Sequence, residues 1–159
     1  MGSNADTELL ERLERAAGES NRYDAALNAV VRHFRADSGT LHLREGELLH
    51  LTAHTPGIPP PVLDIIRAVP VGKGMAGLAA ERKAPVTACN LQTDTTGAVR
   101  AGARATGLKG SIVVPLLSAD EVRGTLGIGN RDEREFAPEE VALLVEAGRR
   151  IAAWPASPG

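Results

Sequence analysis

The sequence predicts an α+β domain, in which helices pack on one face of an antiparallel β-sheet. Three observations predict this class. Apolar residues recur at helical spacing near both ends of the chain, two strand pairs are each joined by a tight turn, and only short elements lie between those pairs. Tight turns join antiparallel strands, and helices from both ends of the chain can share one face of the sheet.

Two helices are predicted at the start of the chain. Apolar residues within 9–17 recur at helical spacing, and Gly18 ends this segment. A second apolar stripe runs through residues 23–34, behind Asn21, a residue type that is favoured at helix N-caps. The sequence Asp-Ser-Gly at 37–39 then ends the second helix.

A β-hairpin and several short elements follow these helices. Residues 40–43 and 48–52 flank a turn in which Gly46 can take a positive φ. The elements expected next are a short helix over 62–68, a glycine-rich segment (71–77), a helix ending near Arg82 and a short strand over 85–88.

The remainder of the chain begins with a long polar segment, residues 90–108. It is rich in Gly, Ala and Thr without a clean period, which predicts a long functional loop with a helical turn near 98–105. Two strong strands, 111–118 and 122–130, form a second hairpin. Pro115 offers no N–H to a ladder, so its position requires a sheet edge or a bulge.

A final helix begins at Pro138, with Glu139 and Glu140 favourable to its N-terminal dipole. It is apolar over so wide an arc that it requires two packing neighbours. Residues 1–4 and 155–159 are expected to be frayed.

Composition predicts one cytoplasmic domain and excludes several classes of partner. The chain has 159 residues and a net charge of −2, which argues against binding to nucleic-acid phosphates. Aromatic residues make up only 3%, so little is available to stack on bases. No apolar run is long enough to cross a membrane. A single cysteine, Cys89, excludes an intrachain disulfide and a cysteine-rich zinc site.

Two patterns admit both a chemical and a structural interpretation. His50, Thr52 and His54 share one strand face by the two-residue period, and His42 on the partner strand can lie nearby, so a metal or haem site is geometrically allowed. We favour a polar strand face, since no carboxylate or cysteine completes a ligand set. The glycine-rich segment lacks a P-loop ending, and we favour a tight turn over a phosphate cradle.

Element order and four sequence stretches resemble the GAF domain family of small-molecule sensor modules, over roughly residues 23–151. The four stretches are VPVGKGMAG at 69–77, APVT at 84–87, SIVVPL at 111–116 followed by GTLGIGN at 124–130, and FAPEE at 136–140. The resemblance implies a single GAF domain over 1–159 with a core of about 21–153. Its PAS-like antiparallel sheet would have five or six strands, with terminal helices on one face and a ligand pocket with its loop region on the other. It also implies a homodimer formed through the terminal helices.

Some members of this family are free methionine sulfoxide reductases, and the sequence departs from their pattern. In those enzymes, one cysteine falls in the glycine-rich segment and another in the long loop. Here Ala76 and, approximately, Arg104 take those places. Thiol chemistry of this kind needs a nucleophile and a resolving thiol, and Cys89 is the only cysteine. Reductase activity is therefore disfavoured.

Cyclic-nucleotide binding is also disfavoured by comparison with the family. The binding signature pairs Asn-Lys with a following Phe-x-x-x-Asp-Glu, whereas Asn130 is followed by Arg131 and the acidic pair after Phe136 lies one residue early. We interpret Asn130 as a strand-end cap and Phe136 as a core anchor. No cysteine with Asp-Ile-Pro-like surroundings is present for bilin attachment.

The expected ligand site combines the long loop with the floor of the second hairpin. Arginines in the loop can bind an anion through bidentate hydrogen bonds. One face of the hairpin forms the floor, although strand parity does not say which face. The predicted ligand-binding residues are Asp94, Thr95, Arg100, Arg104, Ser111, Val113 and Leu126.

The sequence thus predicts a non-catalytic sensor of an unknown small-molecule ligand, with no cofactor assigned. Closure of loop 90–108 on the ligand would bias helix packing at a dimer interface. Because no output domain is recognised, the signal would pass through a separate signalling protein, or through none. The alternatives are the disfavoured reductase, a haem- or metal-binding module and a purely dimerising module.

Overall fold

The computed structural model describes residues 4–90 and 107–156, which form five helices and six strands. In chain order these are α1 (Asn4–Ala16), α2 (Arg22–His33), β1 (Ser38–Glu45), β2 (Leu48–His54), α3 (Pro60–Ile66), β3 (Ala68–Pro70), α4 (Gly74–Arg82), β4 (Val86–Ala88), β5 (Gly110–Ser118), β6 (Glu121–Asn130) and α5 (Pro138–Ala152). No helix in these two ranges is long and apolar enough to cross a membrane.

The six strands form one antiparallel sheet in the order β3-β2-β1-β6-β5-β4. Both predicted hairpins are present, and pairing of β1 with β6 joins them at the centre, from Ser38 opposite Gly129 to Leu43 opposite Gly124. Pro115 lies on β5 beyond the three residues that pair with β4, so this side of β5 is a sheet edge there. Of the two expected possibilities for Pro115, a sheet edge or a bulge, the structure shows the edge.

Helices α1, α2 and α5 cover one face of the sheet, which we call the helical face. Leu13, Leu27 and Leu144 from these helices pack with Leu41 and Leu126 from the central strands, and all five side chains are buried. The wide apolar arc of α5 finds its two neighbours within the chain, since α5 packs on both β5 and α1. Burial of these side chains supplies the main stabilisation of this layer.

An arginine-centred junction fixes the start of α5 against the sheet. The Arg134 guanidinium donates to the carbonyl of Phe34 at 2.7 Å and to Oδ1 of Asn130 at 2.8 Å, and it lies over the Phe136 ring. It also forms an ion pair with Glu140 at 2.6 Å. Asn130 donates in turn to the carbonyl of Arg35. Asn130 and Phe136 are thus elements of the fold, as interpreted from the sequence.

The opposite side of the sheet, which we call the cavity face, is covered by α3 and α4. The predicted helix over 62–68 is displaced: α3 begins at Pro60, a favourable first-turn residue, and ends at Ile66. The chain then extends into β3, an unpredicted strand whose Val69 lies opposite Leu49 of β2. Helix α4 packs Met75 and Ala79 against Val113 and the short strand β4.

Candidate ligand cavity

A cavity of about 160 Å³ lies between the cavity face of the sheet and its α3–α4 cover. Its apolar lining includes Val62, Ile65, Ile66, Met75, Leu108 and Val113, and its polar lining is Ser38, Thr40, His42 and Ser111. None of the described lining residues is Asp, Glu, Lys or Arg. Ligand sites are mostly apolar with a few placed polar groups, and this cavity fits that pattern.

Glycines on β6 create part of the cavity floor. A Cβ atom at Gly127 would lie 3.1 Å from Val113 Cγ2, and one at Gly129 would lie 2.8 Å from Leu108 Cδ1. Side chains at these two positions would therefore press on the walls that now line the cavity. The repeated Gly at alternate positions of GTLGIGN thus has a packing explanation at the cavity floor.

Strand alternation separates the three predicted floor residues. Ser111 and Val113 line the cavity, and their contact with a ligand stays a prediction. Leu126 does not line it: the side chain is 0% exposed and packs in the helical-face core, opposite Leu41 and Val114. The prediction for Leu126 is wrong because successive side chains of a strand point to opposite faces. The other predicted ligands, Asp94, Thr95, Arg100 and Arg104, lie outside the described residues, as does the helical turn expected near 98–105.

His42 is the polar side chain held most firmly in the lining. Its Nε2 donates a hydrogen bond of 2.8 Å to the carbonyl of Ile66, the last residue of α3, and the residue is only 3% exposed. Burial lowers the pKa of His42 below its ordinary value of 6.5, the hydrogen bond to Ile66 opposes this shift, and nearby His50 adds to it. The ring is therefore neutral at neutral pH.

A β-bulge separates the histidines that were expected to share a face. Leu41 lies opposite Ala53 and His42 opposite Leu51, which leaves Thr52 as an extra residue on β2. His50 consequently lies opposite Leu43, which packs with the helical face, whereas His54 lies opposite Thr40, which lines the cavity. The expected common face for His50, Thr52 and His54 is wrong, because the extra residue reverses the alternation.

Within ranges 4–90 and 107–156, no group of three or more His, Cys, Asp or Glu side chains could hold a metal ion. Cys89 follows β4 directly and is exposed. It is not among the residues that line the cavity.

The glycine-rich segment forms a turn that closes on itself. Gly72 and Gly74 have φ values of 92° and 64°, which side-chain-bearing residues rarely adopt. The Gly72 N–H donates to the carbonyl of Gly77 at 2.8 Å, and a Cβ at Gly77 would collide with the carbonyl of Pro70. The predicted tight turn with close backbone packing is confirmed.

Sequence reasoning missed the contribution of α3 to the site. Val62, Ile65 and Ile66 all line the cavity from this helix, and Ile65 is 46% exposed. Their spacing of i, i+3 and i+4 is the signal that one face of α3 covers an apolar surface. The hydrogen bond from His42 to Ile66 has no signal in the sequence, because it depends on tertiary placement.

The fold and the cavity together define an α+β module in which a six-stranded antiparallel sheet separates a helical layer from a small, uncharged cavity. A model of the family described as GAF domain matches residues 16–153. The chain belongs to the GAF domain family. No curated protein sequence matches it significantly.

Solved structures with this fold include both GAF domains of larger proteins and free methionine-R-sulfoxide reductases. The GAF domain of a phosphoenolpyruvate-protein phosphotransferase from Coxiella burnetii has a TM-score of 0.77 at 20% identity, over 96% of this chain and 94% of that one. The corresponding domain from Acinetobacter has a TM-score of 0.76 at 19% identity, over 95% and 92%. A free methionine-R-sulfoxide reductase from Neisseria meningitidis, solved with its substrate, has a TM-score of 0.75 at 16% identity, over 96% and 90%. At these identities the likeness extends to the fold alone.

Proposed function

We propose that this protein is a non-catalytic sensor module that binds a small, uncharged molecule between the sheet and its α3–α4 cover. The observation that carries this proposal is a cavity of about 160 Å³ whose described lining has no formal charge and few polar groups. An apolar cavity of about 150 Å³ is large enough to take up benzene. The expected ligand is therefore about the size of one six-membered ring.

Signal output is proposed to pass through the sheet to the terminal helices. Strands β1 and β5 contribute side chains to the cavity on one face and to the α1–α2–α5 core on the other. Strand β6 contributes Gly127 and Gly129 to the cavity floor and Leu126 to the core. A ligand that prefers one arrangement of these strands biases the helices packed behind them. We propose that the helices in turn form the interface of a homodimer and transmit the change to a separate signalling protein.

Melting temperature tests ligand binding directly. A ligand at about 100 times its dissociation constant stabilises the fold by about 2.7 kcal/mol, equivalent to a rise of roughly 5–10 °C for a domain of this size. We expect such a rise with some uncharged ring-sized compounds and none with their carboxylate analogues. Unchanged melting across a broad panel of such compounds would contradict the proposal.

Native mass spectrometry of freshly purified protein tests the oligomer and any retained ligand together. The expected result is the mass of a dimer, with an additional small mass where a ligand has been retained. If the protein dissociates to a monomer on dilution and its melting temperature still rises with ligand, the dimer is not part of the mechanism. The ligand-binding function would then still stand.

The reductase alternative rests on fold likeness alone. Reduction of a sulfoxide by two thiols yields the thioether, water and a disulfide, and this chain has a single cysteine, exposed and away from the cavity lining. We expect no turnover of free methionine sulfoxide with a thiol reductant. Turnover that Cys89→Ser abolishes would establish the enzyme instead.

A further inference from the structure

Two buried polar atoms without hydrogen-bond partners belong to residues that are opposite each other on neighbouring strands, and one of these residues lines the cavity. In the described part of the chain, three buried side-chain atoms lack a partner: Nη1 of Arg22, Nδ1 of His42 and Oγ1 of Thr125. His42 and Thr125 are directly opposite each other on β1 and β6. They are 3% and 1% exposed. Burial of an unpaired polar group is costly, so each such atom requires an explanation.

The hydrogen bond on the other side of the ring determines what His42 can accept. A carbonyl oxygen only accepts, so the 2.8 Å contact with Ile66 requires the proton to be on Nε2. In the neutral ring, Nδ1 then carries a lone pair and is an acceptor. The fold thus presents a buried acceptor on a residue that lines an otherwise mostly apolar cavity.

Thr125 limits which chemical group of a ligand can bind beside Nδ1 of His42. Thr125 does not itself line the cavity, but directly opposed residues of an antiparallel pair have Cβ atoms about 4.5–5.5 Å apart, so a small group bound at Nδ1 of His42 lies close to the Thr125 side chain. A hydroxyl can donate to Nδ1 of His42 and accept from Oγ1 of Thr125 at the same time. A ketone or an ether cannot donate, and an ammonium ion would be buried in this lining without a counter-charge.

We propose that the ligand of this cavity is a small, uncharged alcohol or phenol whose hydroxyl donates to Nδ1 of His42. This inference rests on the proposed ligand function of the cavity and adds the class of ligand and the residue that selects it. The apolar remainder of the ligand lies against Val62, Ile66, Met75 and Val113.

Two probes of the same shape test the proposal. Phenol and toluene differ by a hydroxyl in place of a methyl group, and each is titrated into the full chain while amide chemical shifts are followed. His42→Gln is the informative variant, because the glutamine amide can keep the donor to Ile66 but has no acceptor in the position of Nδ1. His54→Gln is the matched control, since it is the same substitution at an exposed histidine of β2 that does not line the cavity.

The measured quantity is the ratio of the toluene to the phenol dissociation constant. Comparing this ratio between variants removes the difference in hydration of the two probes. The expected result is a ratio about tenfold lower in His42→Gln than in the parent protein and unchanged in His54→Gln. Should His42→Gln fail to fold, Thr125→Val is expected to lower the same ratio.

The outcomes separate this inference from the proposed function. Equal ratios in the parent protein and in both His42→Gln and Thr125→Val overturn the role of His42 and leave a ligand cavity. If neither probe binds the parent protein, both the inference and the proposed ligand cavity are overturned.

Discussion

At the scale of single residues, the fold holds His42 neutral and in one tautomer. Its Nε2–H is committed to Ile66, its Nδ1 is buried, and burial is the largest contribution that lowers its pKa. These properties affect the stability of the protein whether or not a ligand is bound. They can therefore be measured on the purified chain.

The depressed pKa of His42 predicts a loss of stability in mild acid. Below the ordinary value of 6.5, the unfolded chain binds a proton that the folded chain resists until its own lower pKa is reached. The free energy of unfolding therefore falls as pH decreases through the ordinary value of 6.5 towards the lower folded value, with a limiting slope of about 1.4 kcal/mol per pH unit from this group. The free energy of unfolding of His42→Gln, measured with urea, is expected to fall less over the same pH range. An equal fall in parent and variant would show that other groups cause the pH dependence.

The unpartnered hydroxyl of Thr125 predicts a stabilising substitution. Thr125→Val removes a buried hydroxyl that has no partner and is expected to raise the free energy of unfolding by about 1 kcal/mol in the ligand-free protein. Thr55→Val is the matched control. Its buried Oγ1 accepts from the Gly39 N–H at 3.0 Å, so the same substitution should destabilise there. Urea midpoints that move in the same direction for both variants would contradict the assignment.

At the scale of elements, the N-terminus of α5 is fixed by one carboxylate. Glu140 accepts from the backbone N–H of Ala137, the residue before the helix, and forms an ion pair with Arg134. Arg134 continues this network to the carbonyl of Phe34, at the end of α2. Two sequentially distant helices are thereby fixed relative to each other.

Replacing Glu140 by Gln is expected to destabilise the protein by about 1 kcal/mol at pH 7, a small value because the pair is partly exposed to solvent. Burial would raise the pKa of Glu140, but the Ala137 N–H and Arg134 outweigh it and the pKa is lowered. The stabilisation is therefore complete above the ordinary value of 4.5 and is lost as pH falls through the folded value. Unfolding curves of parent and variant should converge in acid, whereas Glu139→Gln, in the same turn, should have a smaller effect at pH 7.

The elements themselves were largely predictable from sequence, and their exceptions have physical reasons. Periodicity located the hairpins and the terminal helices, and the missing N–H of Pro115 predicted a sheet edge or a bulge, of which the structure shows the edge. Strand β3 was not predicted, because three residues carry no period and pair only through contact with β2. The bulge at Thr52 has no glycine to mark it, so the faces of β2 could not be assigned.

At the scale of the whole molecule, one face of the sheet carries most of the packing that stabilises the fold, and the other face carries the cavity. The helical face carries the larger apolar core, while the cavity face leaves space for a ligand. Ser111 and Val113 line the cavity, whereas Leu126 packs in the helical-face core. The sequence could not separate these residues, because assigning strand residues to a face requires one residue whose face is known. The burial of Leu41 in the helical-face core, opposite Leu126, identifies that face.

A pair of substitutions on neighbouring strands is expected to separate the two faces. Leu126→Ala empties part of the helical-face core and should cost roughly 2–5 kcal/mol. Val113→Ala enlarges the cavity at lower cost and should change the dissociation constant of toluene. Urea unfolding and toluene titration on both variants check this assignment, and a larger effect of Leu126→Ala than of Val113→Ala on toluene binding would contradict it.

The short outer strands also determine how copies of this protein can associate. Among the described strands, β3 and β4 at the two ends of the sheet have three residues each, and Pro70 closes β3. Where β5 extends beyond β4, Pro115 interrupts its row of backbone donors. Long, regular edges recruit strands from other chains and promote aggregation, and these edges are short and interrupted by proline. Concentrated protein is accordingly expected to resist amyloid-like association.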